Sequence, residues 1–149
     1  MKYLFLIVIM VGYSFVSKAQ TTEDSIKMTI NKLFDGMKAS DAAMIKAAFT
    51  DSAILQSIGN KNGKLTIENE VVADFADFVG KQPKGAADER ITYDVIKIDG
   101  PLAIVWAPYK FYLNGIFSHC GVDSFQLVKV DGVWKIQYLI DTRRRKGCE

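Results

Sequence analysis

Histidine is almost missing from this chain: His119 stands alone among 149 residues. One imidazole without a nearby set of partner ligands seldom makes a metal site, so no metal centre is expected. Cysteine is nearly as scarce, with only Cys120 and Cys148. No internal repeat or low-complexity segment occurs, which excludes solenoids and disordered tracts. A charge excess is missing as well, at a formal +2 from 19 basic and 17 acidic residues. Nothing in that balance supports a nucleic-acid partner.

What is present begins with "MKYLFLIVIMVGYSFVSKAQ". Lys2 supplies a positive start, Tyr3 to Val16 is almost wholly apolar, and Ser17 and Ala19 are small residues placed for a cut before Gln20. Residues 1–19 therefore read as a signal peptide. The alternative, an uncleaved anchor, is opposed by an apolar run shorter than the ~20 residues a spanning helix needs. No cysteine at the cut offers a lipid anchor. The expected protein is exported, periplasmic or secreted, and no longer tied to a membrane once cleaved. Lys2 and Lys18 depart with the signal, leaving 17 basic against 17 acidic residues. About 130 residues remain, enough for one domain to bury its own core. In an oxidising compartment, Cys120 and Cys148 read as a disulfide in preference to a metal pair or a nucleophile.

Residues 23–39 place Ile26, Ile30, Leu33, Phe34 and Met37 on one helical face. Ser40 or Asp41 then caps a short helix carrying Met44, Ile45, Ala48 and Phe49. "AILQSI" reads as a strand, "GNKNG" as a turn and "KLTI" as a second short strand. Residues 68–80 return to helical period and stop at Gly80, and "KQPKGAADE" reads as a loop. Four further strands follow, "RITYDVIKI", "PLAIVWAPYKFYL", "IFSHCGVDSFQLVKV" and "VWKIQYLID", joined by Asp-Gly, Asn-Gly and Asp-Gly turns. The order is α-α-β-β-α-β-β-β-β: an α+β architecture in which helices with one apolar face cover a curved antiparallel sheet. The domain spans 20–142, and 143–149 is a basic tail.

Two segments carry a family resemblance. "LFDGMKASDAAMIKAAFTDSAILQSI" resembles the opening of nuclear-transport-factor-2-like (NTF2-like) domains. Phe49-Thr50-Asp51-Ser52-Ala53 stands at their usual entry into the first strand. "DSFQLVKVDGVWKIQYLIDTRRR" resembles their last two strands, with Gly132, Trp134 and Ile136 in a Gly-x-Trp-x-Ile pattern. Within that superfamily the chain is most similar to exported bacterial members grouped as SnoaL-like or lumazine-binding. The resemblance implies a cone-shaped fold with helices on the concave face and a pocket between helices and sheet. It also implies either small-molecule binding or catalysis of the ketosteroid isomerase, scytalone dehydratase or polyketide cyclase kind. Many such relatives dimerise through the sheet face.

Regular two-residue turns at Asn114-Gly115 and Asp131-Gly132 would pair Trp106 with Asp123, Asp123 with Ile140, Phe125 with Tyr138, and His119 with Lys110 and Arg144. That register collects Ile104, Trp106, Asp123, Phe125, Tyr138 and Ile140 on the helix-facing side, with Tyr112 also on it. A single β-bulge would reverse part of this assignment. Asp123 is the informative residue, a carboxylate on an apolar face that must find donors or hold its proton. It reads either as a residue satisfied by backbone amides or an arginine, or as a pocket acid. His119 lies four residues away, roughly 13 Å along a strand, too far for a direct pair. It sits at the rim or takes part in a relay through a ligand. Cys120 faces outward, where Cys148 can reach it. Arg143, Arg144, Arg145 and Lys146 form either a solvated tail or an anion clamp at the cone mouth.

The expected ligand pocket is thus Trp106, Tyr112, Asp123, Phe125, Tyr138 and Ile140, without a cofactor. The expected function is non-catalytic binding of a small, flat, largely apolar ligand. The first alternative is an isomerase, dehydratase or cyclase using Asp123 with His119 or Tyr138. The second is a homodimeric interaction module.

Overall fold

The computed structural model of the chain describes residues 21–148; the expected signal segment, 1–19, lies outside the described residues. The first helix, α1 (Thr22–Ala39), starts where Thr21 and Asp24 cap one another: the Thr21 hydroxyl accepts from the Asp24 N–H, and the Asp24 carboxylate accepts from the Thr21 N–H. It ends at Ser40, in the left-handed region at φ 54°. Asp41 then caps α2 (Ala42–Ala48), accepting from the Met44 N–H at 2.9 Å. The expected stripe Ile26, Ile30, Leu33, Phe34 and Met37 is buried.

The strands are β1 (Phe49–Lys61), β2 (Lys64–Glu70), β3 (Ala87–Ile91), β4 (Val95–Asp99), β5 (Leu102–Leu113), β6 (Ile116–Val130) and β7 (Val133–Thr142), with α3 (Val72–Gly80) between β2 and β3. The sheet order is β2-β1-β7-β6-β5-β3, with β4 also paired to β5. The turns Asn62-Gly63, Asn114-Gly115 and Asp131-Gly132 have positive φ at both residues, the conformation that Asn-Gly and Asp-Gly favour and that matches strand twist. The architecture is the expected α+β one, with helices covering one face of the sheet.

Four details differ from the sequence reading. The sheet is mixed, because β1 runs parallel to β7; a contact between such distant segments leaves no trace in turn chemistry. The expected strand over "RITYDVIKI" divides at Thr92–Asp94 into β3 and β4. The β2 strand runs on to Glu70, so α3 starts at Val72, later than expected and without a side-chain cap.

The fourth difference decides where the site lies. The β5–β6 register starts as expected, Leu113 with Ile116 and Tyr112 with Phe117, but Ser118 is then extra and Phe111 pairs with His119. The β6–β7 register holds from Val130 with Val133 to Leu127 with Ile136, but Gln137 is extra and Gln126 pairs with Tyr138. Each bulge shifts the pairing by one residue and so exchanges inner and outer faces beyond it. Asp123 therefore pairs with Ala107 and Asp141, in place of Trp106 and Ile140.

The helix-facing side of β5 carries Ala103, Val105 and Ala107, all buried, while Leu102, Ile104 and Trp106 are exposed on the other side. Side-chain size had pointed the opposite way. The small residues of β5 lie in the same core as Ile26, Ile30 and Leu33, which are each at most 1% exposed.

Candidate ligand-binding site

Between α1, α3 and the inner sheet face lies a cavity of about 390 Å³, within the size range of small-molecule sites. Its walls are apolar: Leu33, Phe34 and Met37 from α1, Phe75, Phe78 and Val79 from α3, and Leu55, Phe111 and Leu139 from the sheet. Alternation along the bulged strands brings Glu89, Tyr109, His119, Asp123 and Asp141 to the same cavity, joined by Arg143 just past β7.

Asp123 is 2% exposed, and its Oδ2 has no hydrogen-bond partner among the described residues. Its carboxyl meets that of Glu89. Two carboxylates cannot bond one another without a proton, so one must stay protonated. Burial first, and then the negative charges of Glu89 and Asp141, push Asp123 well above the usual carboxylate range. Burial also raises Glu89, to about 7, while its contact with Asp123 favours its ionised form. Asp123 is thus the proton holder and donor, and Glu89 the acceptor. The two titrate as a unit.

Asp141 lies beside the pair and is fully partnered. Its Oδ1 accepts from the Ser57 hydroxyl, and its Oδ2 from Arg143 Nε at 2.8 Å and the Tyr109 hydroxyl at 3.0 Å. Arg143 Nη2 also donates to Ser57 Oγ at 2.7 Å. Arg143 therefore neutralises Asp141 by direct contact, and its charge also reaches the Glu89–Asp123 pair, where it offsets part of the effect of burial. The Tyr109 hydroxyl also lies 2.9 Å from the carbonyl of Thr142, and burial holds its proton far above the ordinary phenol range.

Gly121 makes this arrangement fit. It pairs with Tyr109 across β5–β6, and a Cβ there would lie 1.7 Å from the Thr142 carbonyl oxygen and 2.7 Å from the Tyr109 ring. A backbone without a side chain is needed for that approach.

His119 lines the cavity, half-buried between Phe111 (5.0 Å between ring centroids) and Tyr109 (5.7 Å). Its Nδ1 lies 3.0 Å from Ser118 Oγ. Burial, reinforced by the Arg143 charge, lowers its pKa, so the ring is neutral at pH 7.

The other residues singled out from sequence fall as follows. Phe125 is fully buried beneath the cavity, edge-to-face with Phe34 at 6.3 Å. Trp106, at 46% exposed, lies on the outer face, as do Tyr138, whose hydroxyl donates to Gln56 Oε1 at 2.6 Å, and Ile140. Tyr112 packs on Phe117 and receives the Arg90 guanidinium at 4.2 Å, away from the cavity. Those four are corrections, as is Phe125, which lies in the core and not in the cavity wall, and the two bulges account for Trp106, Tyr138 and Ile140. Cys120 and Cys148 form a disulfide. Among the described residues no cluster of metal-ligating side chains occurs.

Sequence reading missed Glu89, Asp141 and the inward role of Arg143. Glu89 sat in an assigned loop, "KQPKGAADE". The alternation Ala87-x-Glu89-x-Ile91 was the available strand signal, masked by the charges of Asp88 and Arg90. Asp88 itself pairs with Lys38 and Arg90 outside the cavity.

A family model described as "Putative lumazine-binding" matches residues 21–138. No curated protein matches the chain in a sequence search. Among solved structures, an NTF2-like protein of unknown function from Shewanella baltica is similar at 20% identity and a TM-score of 0.64, covering 83% of this chain and 94% of that one. Another, from Methylobacillus flagellatus, has 23% identity and a TM-score of 0.62, covering 82% and 91%. A Nostoc punctiforme domain of unknown function with a cystatin-like fold has 18% identity and a TM-score of 0.66, covering 85% and 81%. At these identities the structural likeness establishes the fold.

Proposed function

The chain belongs to the family described as "Putative lumazine-binding", on an NTF2-like fold, and from that premise we propose that it binds a small, flat, largely apolar ligand in the cavity under α1 and α3. The observation that carries this reading is the cavity itself. Phe34, Phe75 and Phe111 line it from a helix, a second helix and the sheet, and Tyr109, Asp141 and Arg143 stand together in its wall beside Glu89 and Asp123. Such a site suits a planar molecule with one polar edge. Lumazine, a bicyclic pteridine-dione, has that form, and the family description suggests it as the first probe.

The test is a fluorescence titration of the purified protein with lumazine, beside an Ala87→Phe variant that fills the cavity. Saturable binding lost in the variant supports the reading. Equal binding by both proteins refutes it.

A second reading, acid–base conversion of the bound ligand, is favoured by the contact between Glu89 and Asp123. In it Glu89 replaces Tyr138 as partner to Asp123, with His119 in the same cavity. Turnover lost in Glu89→Gln would distinguish it from plain binding. Homodimerisation through the outer sheet face has support from Ile54, Ile104 and Trp106, which are 51%, 43% and 46% exposed. Export has support from the Cys120–Cys148 disulfide. Among the described residues no helix is long and apolar enough to cross a membrane.

A further inference from the structure

We propose that the tip of the β5–β6 hairpin is a docking surface for an anionic lipid bilayer, seating the mouth of the cavity on the membrane. Three observations meet at this tip. Apolar side chains stand in solvent there: Leu113 and Ile116 flank the Asn114-Gly115 turn, Ile116 is 73% exposed, and Phe117 is exposed beside it. These three line a shallow depression with Asn114, Ser118 and Arg145. Leu113 and Asn114 also line the ligand cavity, together with Phe78, itself 64% exposed. The apolar surface is therefore continuous with the cavity mouth. Lastly, two basic segments are tied to the tip. The Asn114 N–H donates to the Ala86 carbonyl at 2.9 Å, at the end of the loop that carries Lys81 and Lys84. The tail is held along β6 by the Cys120–Cys148 disulfide and by two backbone bonds between Cys120 and Arg144, at 2.9 and 2.8 Å. That path brings Arg145 to Ile116 and Phe117.

The charge at this end is positive. Arg144, Arg145 and Lys146 in the tail join Lys81 and Lys84 in the loop; Glu149, next in sequence, lies outside the described residues. Arg143 is spent on Asp141. Of the acids around the mouth, Asp77 is held by Lys46 at 2.7 Å, and Asp88 by Lys38 at 3.0 Å and Arg90 at 2.8 Å. Glu70 and Asp74, close to one another, remain in opposition on the α3 side. Apolar residues scattered singly over a surface need no explanation. An apolar cluster on a turn, flanked by cations, has the make-up of a bilayer contact: the apolar groups enter the acyl boundary and the cations meet lipid phosphates. A second copy of this chain is a poorer occupant, because a two-fold contact at the tip sets Arg145 and its neighbours against their own like. With the mouth on the bilayer, an apolar ligand passes between membrane and cavity without crossing water. The inference goes beyond the ligand-binding reading and stands whichever ligand the cavity takes.

Vesicle flotation of the disulfide-bonded protein tests this. Vesicles of equal parts phosphatidylglycerol and phosphatidylcholine should carry the protein upward, and vesicles of phosphatidylcholine alone should leave it behind. Added salt should release it, because attraction to surface charge fades within a Debye length. Arg145→Ala should weaken binding about fivefold, the equivalent of about 1 kcal/mol per basic side chain at an anionic surface. Ile116→Ser should weaken it roughly tenfold, through the loss of one apolar side chain from the contact. Both side chains are exposed, so the Tm of each variant should match the wild type. Ile104→Ser, on the outer sheet face, should bind as the wild type does. Equal binding to both kinds of vesicle, binding to neither, or a loss in Ile104→Ser that Ile116→Ser does not share would overturn the proposal. Sedimentation of the free protein as a dimer that Ile116→Ser dissolves would overturn it in favour of a second copy. None of these results touches the cavity reading, which the lumazine titration tests separately.

Discussion

Asp123→Asn should make the protein more stable above neutral pH, and the size of the effect follows from the carboxyl pair. Asparagine matches aspartate in shape and, like the protonated acid, donates to Glu89. It opens no cavity and removes one titrating group. In the wild-type protein burial raises both carboxyls. A carboxyl raised on folding binds its proton more tightly in the folded state. Its stabilising contribution is therefore complete below the unfolded pKa and is lost as pH climbs through the folded value. For Glu89 that window runs from 4.5 to about 7. At about 1.4 kcal/mol per pH unit, the loss across it is about 3 kcal/mol. Asp123 adds a loss of the same sign extending to higher pH.

The groups facing the pair are Asp141, Arg143, Tyr109 and His119. His119, with a lowered pKa, has the opposite slope: its neutral form is favoured on folding, so its contribution is lost as pH falls below its unfolded value. That slope is present in both proteins and cancels in their difference. Urea unfolding at pH 5, 6, 7 and 8 supplies the comparison. Glu89 is present in both proteins, so the difference comes from Asp123: the wild-type protein should lose stability relative to the variant by up to about 1.4 kcal/mol per pH unit towards pH 8. Parallel curves would refute the shared-proton assignment.

Three further outcomes are expected. Gly121→Ala should destabilise by about 3 kcal/mol or more, since overpacking of a rigid site ordinarily costs 1–3 and here the new Cβ meets backbone at 1.7 Å; thermal unfolding measures it, and an unchanged Tm would contradict the contact. Cys148→Ser should cost roughly 3 kcal/mol in the chain-entropy treatment of a loop closed between residues 28 apart; urea unfolding with and without reductant should converge on the variant's value once the bridge is reduced. The imidazole resonance of the single histidine should titrate below 6.5, because burial and Arg143 disfavour its cation; a midpoint at or above that value would place His119 outside the cavity.

Much of the fold was legible because it is written in local chemistry. The helical stripe from Ile26 to Met37, the Asp41 cap and the Asn-Gly and Asp-Gly turns each act over a few residues. The disulfide followed from cysteine scarcity and the expected compartment. Three kinds of feature were illegible for definite reasons. The parallel β1–β7 pairing is a contact across most of the chain. The bulges at Ser118 and Gln137 are single insertions that leave composition and periodicity almost untouched, yet they carry Trp106 and Ile140 outward and Asp141 inward. Side-chain size misled on β5, where Ala103 and Ala107 face the core and the larger Ile104 and Trp106 face outward. The candidate site inherited these shifts: Asp123 and His119 were legible as residues to examine, while Glu89 lay hidden in a charged stretch that reads as a loop. Its pairing with Asp123 depends on β3 lying beside β5, and β5 beside β6.

The most direct measurement is the carbon-13 resonance of the Asp123 and Glu89 carboxyls, followed against pH in the free protein and with saturating lumazine. Asp123 should remain protonated at pH 7, and lumazine should shift these two carboxyl resonances in the wild-type protein but not in Ala87→Phe. An Asp123 that ionises near its ordinary value of 3.8, or lumazine shifts confined to the outer face around Trp106, would contradict the account.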